Sequence, residues 1–444
     1  MKKIYIDTLG CAKNEYDSQV LSAALVEKGF EMCKEPENAD VLIVNTCGFI
    51  DDAKKESIER IFELADIKEE KHLIVTGCLS ERYHEELVKE MPEVDIFFGV
   101  NDYDRIPEII CDMFKCSDTA RNQAVQGDMV GSEQDMLCYR KRDYTAYTHT
   151  GVLKIAEGCN NACSFCAIPS IRGSYRSKSM EDCVHEAKDM AAAGIKELVL
   201  IAQDTSQYGK DLYEKPCLDR LLHELCKIDG IEWIRIMYLY DNGITDEIIE
   251  AIATEPKVCK YIDMPIQHIS DNVLNAMRRQ SSGASIMATI EKLRKRIPDI
   301  HIRTTLLVGF PGETESDINE LLDFIDTMNI DRLGAFAFSD EEGTASFDLP
   351  DKLSEDIKIA RRNSVMEHQL AVSERLNETK IGKVLEVMVD ESVGDGVYVG
   401  RSRYDAPEID CEVAFTSDAA HQPGDIVKVR INNAYEYDLE GEEC

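Results

Sequence analysis

The sequence predicts an α/β chain in three parts: an N-terminal parallel α/β domain, a central (β/α)6 partial barrel and a small C-terminal β-barrel of OB-like type. Three observations predict it. Near the amino terminus, strand-like apolar runs recur with helical stretches between them, and each run leads to a cysteine. Through the middle, six runs of strand length alternate with amphipathic stretches of helical period. After about residue 374, short alternating runs separated by Gly, Asp and Pro take over. The expected division is 1–121, a polar linker at 122–144, a central domain at 145–374 and a terminal barrel at 375–444.

In the first part, Lys3–Asp7 leads to Cys11, Val41–Val44 to Cys47 and Leu73–Val75 to Cys78. The intervals between these cysteines, 36 and 31 residues, suit successive βαβ units. Helical patterns fill them at Asp17–Lys28 and Ala53–Leu64, the second with Ile58, Ile61, Phe62 and Leu64 on one face. Ligands of such sheets gather at the carboxyl ends of the strands. All three cysteines fall at that edge, so distant positions can converge on one three-thiolate site. A lone cysteine there is usually a small buried hydrophobe. Three at the same topological position favour a cluster site.

In the central part, the strand candidates are Val152–Ala156, Glu197–Ala202, Trp233–Leu239, Tyr261–Met264, Ile300–Val308 and Leu333–Phe338. Ser179–Ala193 and Ser316–Met328 are helical, with Ser179 and Thr314 as N-caps. Six parallel βα repeats make an open barrel whose function sits at the carboxyl ends of its strands. In the last part, Val384–Val389, Val397–Val399 and Ile426–Ile431 alternate as barrel strands do.

The strongest motif follows the first central strand: Cys159, Cys163 and Cys166, spaced Cys-x-x-x-Cys-x-x-Cys, with Phe165 before the last thiol. Three thiolates hold a cubane iron–sulfur cluster by three of its irons and leave the fourth open to substrate. Structural zinc is the alternative, but it wants four ligands and no fourth Cys or His lies nearby. The other ten of the sixteen cysteines show no such pattern and read as structural or incidental.

Composition narrows the partners. With 85 acidic against 50 basic residues, the net charge is −35. So acidic a body repels nucleic acid over most of its surface and attracts basic partners. No apolar run approaches a membrane span. Met1–Asp7 enters a strand pattern and is too short and polar for a signal peptide. The expectation is a cytoplasmic protein, without membrane contact, whose cysteines are metal ligands or free thiols.

A three-cysteine α/β domain, a central Cys-x-x-x-Cys-x-x-Cys domain and a small terminal barrel together resemble the radical S-adenosylmethionine (SAM) methylthiotransferases, whose terminal barrel is a TRAM domain. The resemblance covers essentially the whole chain. It rests on Leu9-Gly10-Cys11-Ala12-Lys13-Asn14, Asn45-Thr46-Cys47-Gly48-Phe49-Ile50, Gly77-Cys78, Ile155-Ala156-Glu157-Gly158-Cys159 and Ala167-Ile168-Pro169-Ser170-Ile171-Arg172-Gly173. Leu200-Ile201-Ala202-Gln203-Asp204, Pro265-Ile266-Gln267-His268, Gly309-Phe310-Pro311-Gly312-Glu313-Thr314 and Asp405-Ala406-Pro407-Glu408-Ile409-Asp410 extend it. Two departures are Ala12, where proline is common, and Tyr240-Asp241-Asn242, where Tyr-Pro is common. Neither falls on a ligand position.

The resemblance implies two 4Fe-4S clusters and SAM as cofactors. Cys159, Cys163 and Cys166 would hold the SAM-cleaving cluster, shielded by Phe165. Cys11, Cys47 and Cys78 would hold an auxiliary cluster with one open iron for the transferred sulfur. One SAM would supply the methyl group and a second the radical that removes hydrogen from substrate carbon. By strand-end position, the candidates to meet SAM are Gln203, Asp204, Gln267, His268, Arg303, Thr305, Gly309, Gly312 and Glu313. Arg172 and Arg176 either pair with the carboxylate of SAM or of the substrate, or stay solvated.

The branch it resembles most attaches a methylthio group to the β-carbon of an aspartate in small-subunit ribosomal protein S-twelve. The alternative branch modifies an adenosine in tRNA. From Ile381 to Cys444 there are five basic residues and fifteen acidic ones. That balance is poor for gripping phosphates and suits a basic protein. The implied partners are the ribosomal protein, an electron donor such as flavodoxin or ferredoxin, and a sulfur donor; a monomer is expected.

Overall fold

The computed structural model describes residues 1–115, 137–145 and 149–444. They fall into two compact units. One comprises Met1–Ala146, Glu157–Asn161 and Ala167–Asp182; the other comprises Tyr147–Ala156, Ala162–Cys166 and Cys183–Cys444.

The first unit is built on a five-stranded parallel sheet in the order Glu31–Met32, Lys3–Thr8, Val41–Thr46, His72–Gly77, Ile96–Phe97. The three strands expected from sequence are its adjacent centre. Val41 and Ile43 enter one core with Ile4, Leu21 and Ile74; Leu42 and Val44 enter another with Ile61, Leu64 and Val75. Both faces are covered by helices, so the central strand reads as an unbroken apolar run.

Two helices differ in detail from the expectation. The first spans Ala12–Glu27 and so begins directly after Cys11. The second spans Asp51–Asp66 and buries Ser57, Ile61 and Leu64, while Phe62 points outward. Of the expected linker, 122–136 lies outside the described residues. In 137–144, Leu137 and Arg142 are buried, and the Arg142 guanidinium lies 4.4 Å from the Tyr16 ring centroid.

The second unit holds six strands in chain order: Thr150–Lys154, Glu197–Ile201, Trp233–Ile236, Tyr261–Asp263, His301–Val308 and Arg332–Ala337. They form two three-stranded parallel sheets. A parallel bridge between Ile234 and Val258, and a bond from Leu239 N to Asp263 O, join them. The result is the open six-stranded barrel expected. Its helix Glu315–Met328 starts in a capping box made by Thr314 and Asp317. In the first unit, Asp182 N donates to the Ser179 hydroxyl, so that cap is also present.

The last five strands, Val384–Gly394, Val397–Ser402, Val413–Thr416, Ile426–Ala434 and Leu439–Glu443, close a barrel around Val387, Val389, Phe415, Val429 and Ile431. Its Arg401–Asp410 segment meets the open barrel at or near the amino-terminal ends of the strands. Glu197, fully buried, accepts from Arg235 Nε at 2.8 Å and Arg401 Nη1 at 2.7 Å. Arg332 is held by Asp405 at 2.7 Å, and Tyr261 donates to Asp410 at 2.6 Å. This leaves the carboxyl ends of the strands clear of the small barrel's buried salt links.

Candidate functional site

In the first unit, the sheet register places Thr8 beside Asn45 and Thr46 beside Gly77. Cys11, Cys47 and Cys78 therefore leave three adjacent strands at one level. Cys11 is exposed, Cys47 half-buried and Cys78 buried. Their backbones are packed closely. A Cβ on Gly10 would stand 2.9 Å from the Cys47 sulfur, and one on Gly77 would stand 2.4 Å from Thr46 O. Both glycines also have positive φ, which a side chain disfavours.

Polar side chains fix this edge. Asn14 donates to Leu9 O at 2.8 Å and to Thr46 O at 3.0 Å. Asn45 donates to Asn14 O and the Ser18 hydroxyl, each at 2.9 Å, and accepts from Tyr103 at 2.8 Å. The Ser57 hydroxyl accepts from Cys47 N and donates to Cys47 O. Arg172 is buried at the same place. Its Nη1 bonds Asp17 and Glu157 at 3.0 and 2.9 Å; its Nη2 bonds Asn14 Oδ1 at 2.7 Å and reaches the Cys78 sulfur at 3.5 Å. The expectation of a solvated or ligand-facing Arg172 is thus corrected: its guanidinium is occupied by buried protein carboxylates. Asn14, Asn45, Ser57 and Arg172 were not singled out as supports by the sequence reading. Their partners lie too far away in the chain to leave a local pattern.

The thiols feel one another. Burial, with the nearby Cys78 and Cys11 sulfurs, pushes Cys47 up to about 11. Burial also raises Cys78 above the ordinary thiol value, against the pull of Arg172. Although the residue is exposed, desolvation of its sulfur acts to raise Cys11 too, but Lys13, Arg172 and backbone N–H groups outweigh it and hold that thiol below its ordinary value. Coordination deprotonates a thiol outright, so the raised values of Cys47 and Cys78 do not disqualify them as ligands. Among the described residues, no three His, Cys, Asp or Glu side chains close tightly enough for a single metal ion. A cubane takes each thiolate on a different iron and accepts a wider triad. The soft three-thiol donor set and its glycine-made cradle fit such a cluster.

The second motif is divided between the units. In the first, Cys159 N donates to Gly173 O at 3.2 Å and Asn161 N to the Cys159 sulfur at 3.4 Å. In the second, the Cys163 sulfur lies 3.6 Å from the Tyr240 hydroxyl and 3.7 Å from Arg279 Nη1. Arg279 is buried over the Tyr240 ring, 4.1 Å from its centroid. Cys166 N donates to Cys163 O at 3.2 Å, and Phe165 packs on Met277, Phe310 and Phe338.

The nine candidate SAM contacts are placed as follows. Asp204 accepts from the N–H and hydroxyl of Ser206. Gln203 directly precedes it, beyond the strand Glu197–Ile201. Gln267 adopts φ +72 and bridges to Thr305 through its backbone N–H at 2.9 Å. His268 is fully buried, and burial lowers it to about 4. Its Nδ1 accepts from Ser270 N at 3.0 Å, which places the neutral ring's proton on Nε2, 3.6 Å from Glu313. Glu313 accepts from Gly309 N with both oxygens and from Arg361 at 2.7 Å. Gly309 and Gly312 have positive φ. Arg303 and Thr305 share one face of their strand, two residues apart; Arg303 is held by Asp263 at 2.8 Å and Asp410 at 3.4 Å.

Three family models match the chain. Uncharacterized protein family UPF0004 covers residues 3–99, the Radical SAM superfamily 153–325 and the TRAM domain 381–443. With the fold, these define a radical SAM enzyme that carries a TRAM barrel. Similar solved structures include the radical SAM methyltransferase TsrM from Kitasatospora setae, with TM-score 0.60, 14% identity and coverage of 89% of this chain and 79% of that one. The cobalamin-dependent SAM radical enzyme OxsB follows at TM-score 0.55 and 11% identity, covering 83% of this chain and 56% of that one. At these identities the likeness is one of fold.

The sequence relatives are more specific. The ribosomal protein uS12 methylthiotransferase RimO of Clostridioides difficile (strain 630) is 46% identical, with 100% of this chain and 99% of that protein aligned. That of Thermoanaerobacter sp. (strain X514) is 46% identical with both chains wholly aligned. The chain belongs to the RimO family of radical SAM methylthiotransferases.

Proposed function

We propose that the chain methylthiolates the β-carbon of an aspartate in ribosomal protein uS12, with SAM and two 4Fe-4S clusters. The observation that carries the reading is the convergence of Cys11, Cys47 and Cys78 at one sheet edge, in addition to the Cys159, Cys163 and Cys166 motif. When bound, the clusters and SAM supply the radical, the methyl group and a resting place for sulfur. The protein supplies placement. Asn14, Asn45 and Ser57 hold the first triad's backbone; Tyr240 and Arg279 brace Cys163; Phe165 and its aromatic neighbours keep water from the second motif.

Among the SAM candidates, we assign contact by position at the strand ends to Gln203, Gln267, Thr305, Gly309 and Gly312; the Gln267 side chain also donates to Pro265 O at 3.5 Å. Asp204, His268 and Glu313 have polar atoms engaged by the protein and serve as supports of those turns; Arg303, third in its strand and held by Asp263 and Asp410, links the strands to the small barrel's segment instead. The division into 1–121, 122–144, 145–374 and 375–444 is part of the same proposal, since each matched family segment falls within one of its domains. So are a cytoplasmic monomer, a flavodoxin- or ferredoxin-like electron donor and a separate sulfur donor. No described helix is long and apolar enough to cross a membrane.

The terminal barrel favours a protein substrate over tRNA. Two of its five basic residues are already used: Arg401 by Glu197 and Asp390, and Arg403 by Glu386. Exposed Lys383, Lys428 and Arg430 remain among abundant acidic residues. The test is an anaerobic competition in which reconstituted enzyme, SAM, reductant and sulfide meet uS12 and unmodified tRNA together. A methylthio mass gain on a uS12 aspartate alone is expected. A gain on tRNA alone overturns the reading.

A further inference from the structure

We infer that Arg172 is a positioning residue for the auxiliary cluster: it donates an N–H to the Cys78 thiolate and places one fixed positive charge against that cluster. The inference rests on the reading that Cys11, Cys47 and Cys78 hold a cluster. The geometry is specific. Arg172 is 2% exposed, so water does not screen its charge; Asp17 and Glu157 offset that charge from the Nη1 side, and the Nη2 N–H aimed at the Cys78 sulfur is what Arg172 alone supplies. Its four contacts use both Nη atoms: Asp17 and Glu157 fix one, and Asn14 and the Cys78 sulfur take the other. A planar guanidinium can hold two carboxylates and still aim a second edge at sulfur; a lysine ammonium offers only a point charge.

Asn14 makes the arrangement a single unit. The amide whose oxygen accepts from Arg172 is the amide whose nitrogen ties Leu9 and Thr46, the backbones leading to Cys11 and Cys47. One arginine thus touches one cysteine ligand directly and is linked through one asparagine to the approaches of the other two. One-electron reduction adds a negative charge to a cluster, so a neighbouring cation and an N–H···S bond favour the reduced form. Arg172 should therefore raise the cluster's reduction potential as well as hold its ligands in place.

The test uses the full-length chain with Cys159, Cys163 and Cys166 all changed to Ala, which leaves only the first triad. Arg172, Arg172→Lys and Arg172→Gln forms are reconstituted anaerobically with iron and sulfide. Iron per chain is measured, and the cluster is titrated by EPR. The Gln form should titrate at a more negative potential, with the Lys form returning toward the parent. Equal midpoints at equal iron content overturn the inference. Should the Gln form fail to fold, the parent labelled with 15N-arginine decides by pulsed EPR of the reduced cluster. Coupling to a guanidinium nitrogen is expected, and its absence overturns the inference. A parent that binds no iron would instead refute the cluster reading of the triad, a separately visible failure.

Discussion

Asn14 donates its side-chain amide to Thr46 O at 3.0 Å, tying the helix that follows Cys11 to the strand that precedes Cys47. The same nitrogen donates to Leu9 O, and the oxygen accepts from Arg172. Asn14 is fully buried, so Asn14→Ala would leave two carbonyls and a guanidinium N–H without this partner. We expect a loss of about 3 kcal/mol or more in chemical denaturation, at about 1–3 kcal/mol for each of the three buried groups left unpaired. Iron content after reconstitution should fall toward that of a chain lacking the first triad. An Asn14→Ala protein with full iron and unchanged stability would show that the tie is dispensable.

The small barrel is fastened to the open one by buried charge. Asp405 is 1% exposed and Arg332 5%. Burial opposes ionisation of Asp405, but Arg332 and Lys380 outweigh it and hold the carboxyl at about 2. Removing either partner strands the other, at a cost of about 3–5 kcal/mol. Arg332→Met and Asp405→Leu should each destabilise strongly in denaturant titrations, while the double variant should cost less than their sum. Additive losses would mean that the pair does not act as one.

Much of this architecture was legible from the residues. The three N-terminal strands announced themselves because an apolar run, buried on both faces, stops at a cysteine in each case. Thr314 was legible as a cap because a hydroxyl followed three residues later by a carboxylate is a local signal. The edge strands Glu31–Met32 and Ile96–Phe97 were not, since two residues carry no period. Nor was the start of the helix at Ala12, because its N-cap is Cys11, with no side-chain cap bond. That helix buries Lys13, Asn14, Asp17 and Gln19 among polar partners. A helix buried against polar groups shows no apolar stripe, and Arg172 lies 155 residues beyond Asp17, so the support of the first triad was invisible locally.

Arg279 and Tyr240 meet at Cys163, and the two should not contribute equally. Arg279 carries charge to the sulfur from a buried position, whereas Tyr240 offers a neutral hydroxyl. Changing groups that support metal ligands typically costs roughly ten- to a hundredfold. Arg279→Gln should slow 5′-deoxyadenosine formation from SAM within that range, per iron bound and with dithionite as reductant. Tyr240→Phe should slow it less. The reverse order would show that the hydroxyl, rather than the charge, governs this cysteine.

His268 predicts a response to acid. It is fully buried, and burial lowers it from 6.5 to about 4, with Asp317 and Arg361 acting in opposite directions. The folded state therefore refuses a proton that the unfolded chain accepts below pH 6.5. Stability contributed by the neutral ring is intact above pH 6.5 and is lost as pH falls toward 4. At about 1.4 kcal/mol per unit, the loss across that window is roughly 3 kcal/mol at most. His268→Gln keeps a polar side chain without a titrating ring. Its stability at neutral pH should be lower, but its fall between pH 6.5 and 4 should be shallower than that of the parent. Denaturant midpoints measured on both apoproteins across the window give the two slopes without the acid lability of bound clusters. Parallel slopes would mean that His268 takes its proton in the folded state, so that the Ser270 N–H bond to Nδ1 and the surrounding burial fail to hold the ring neutral.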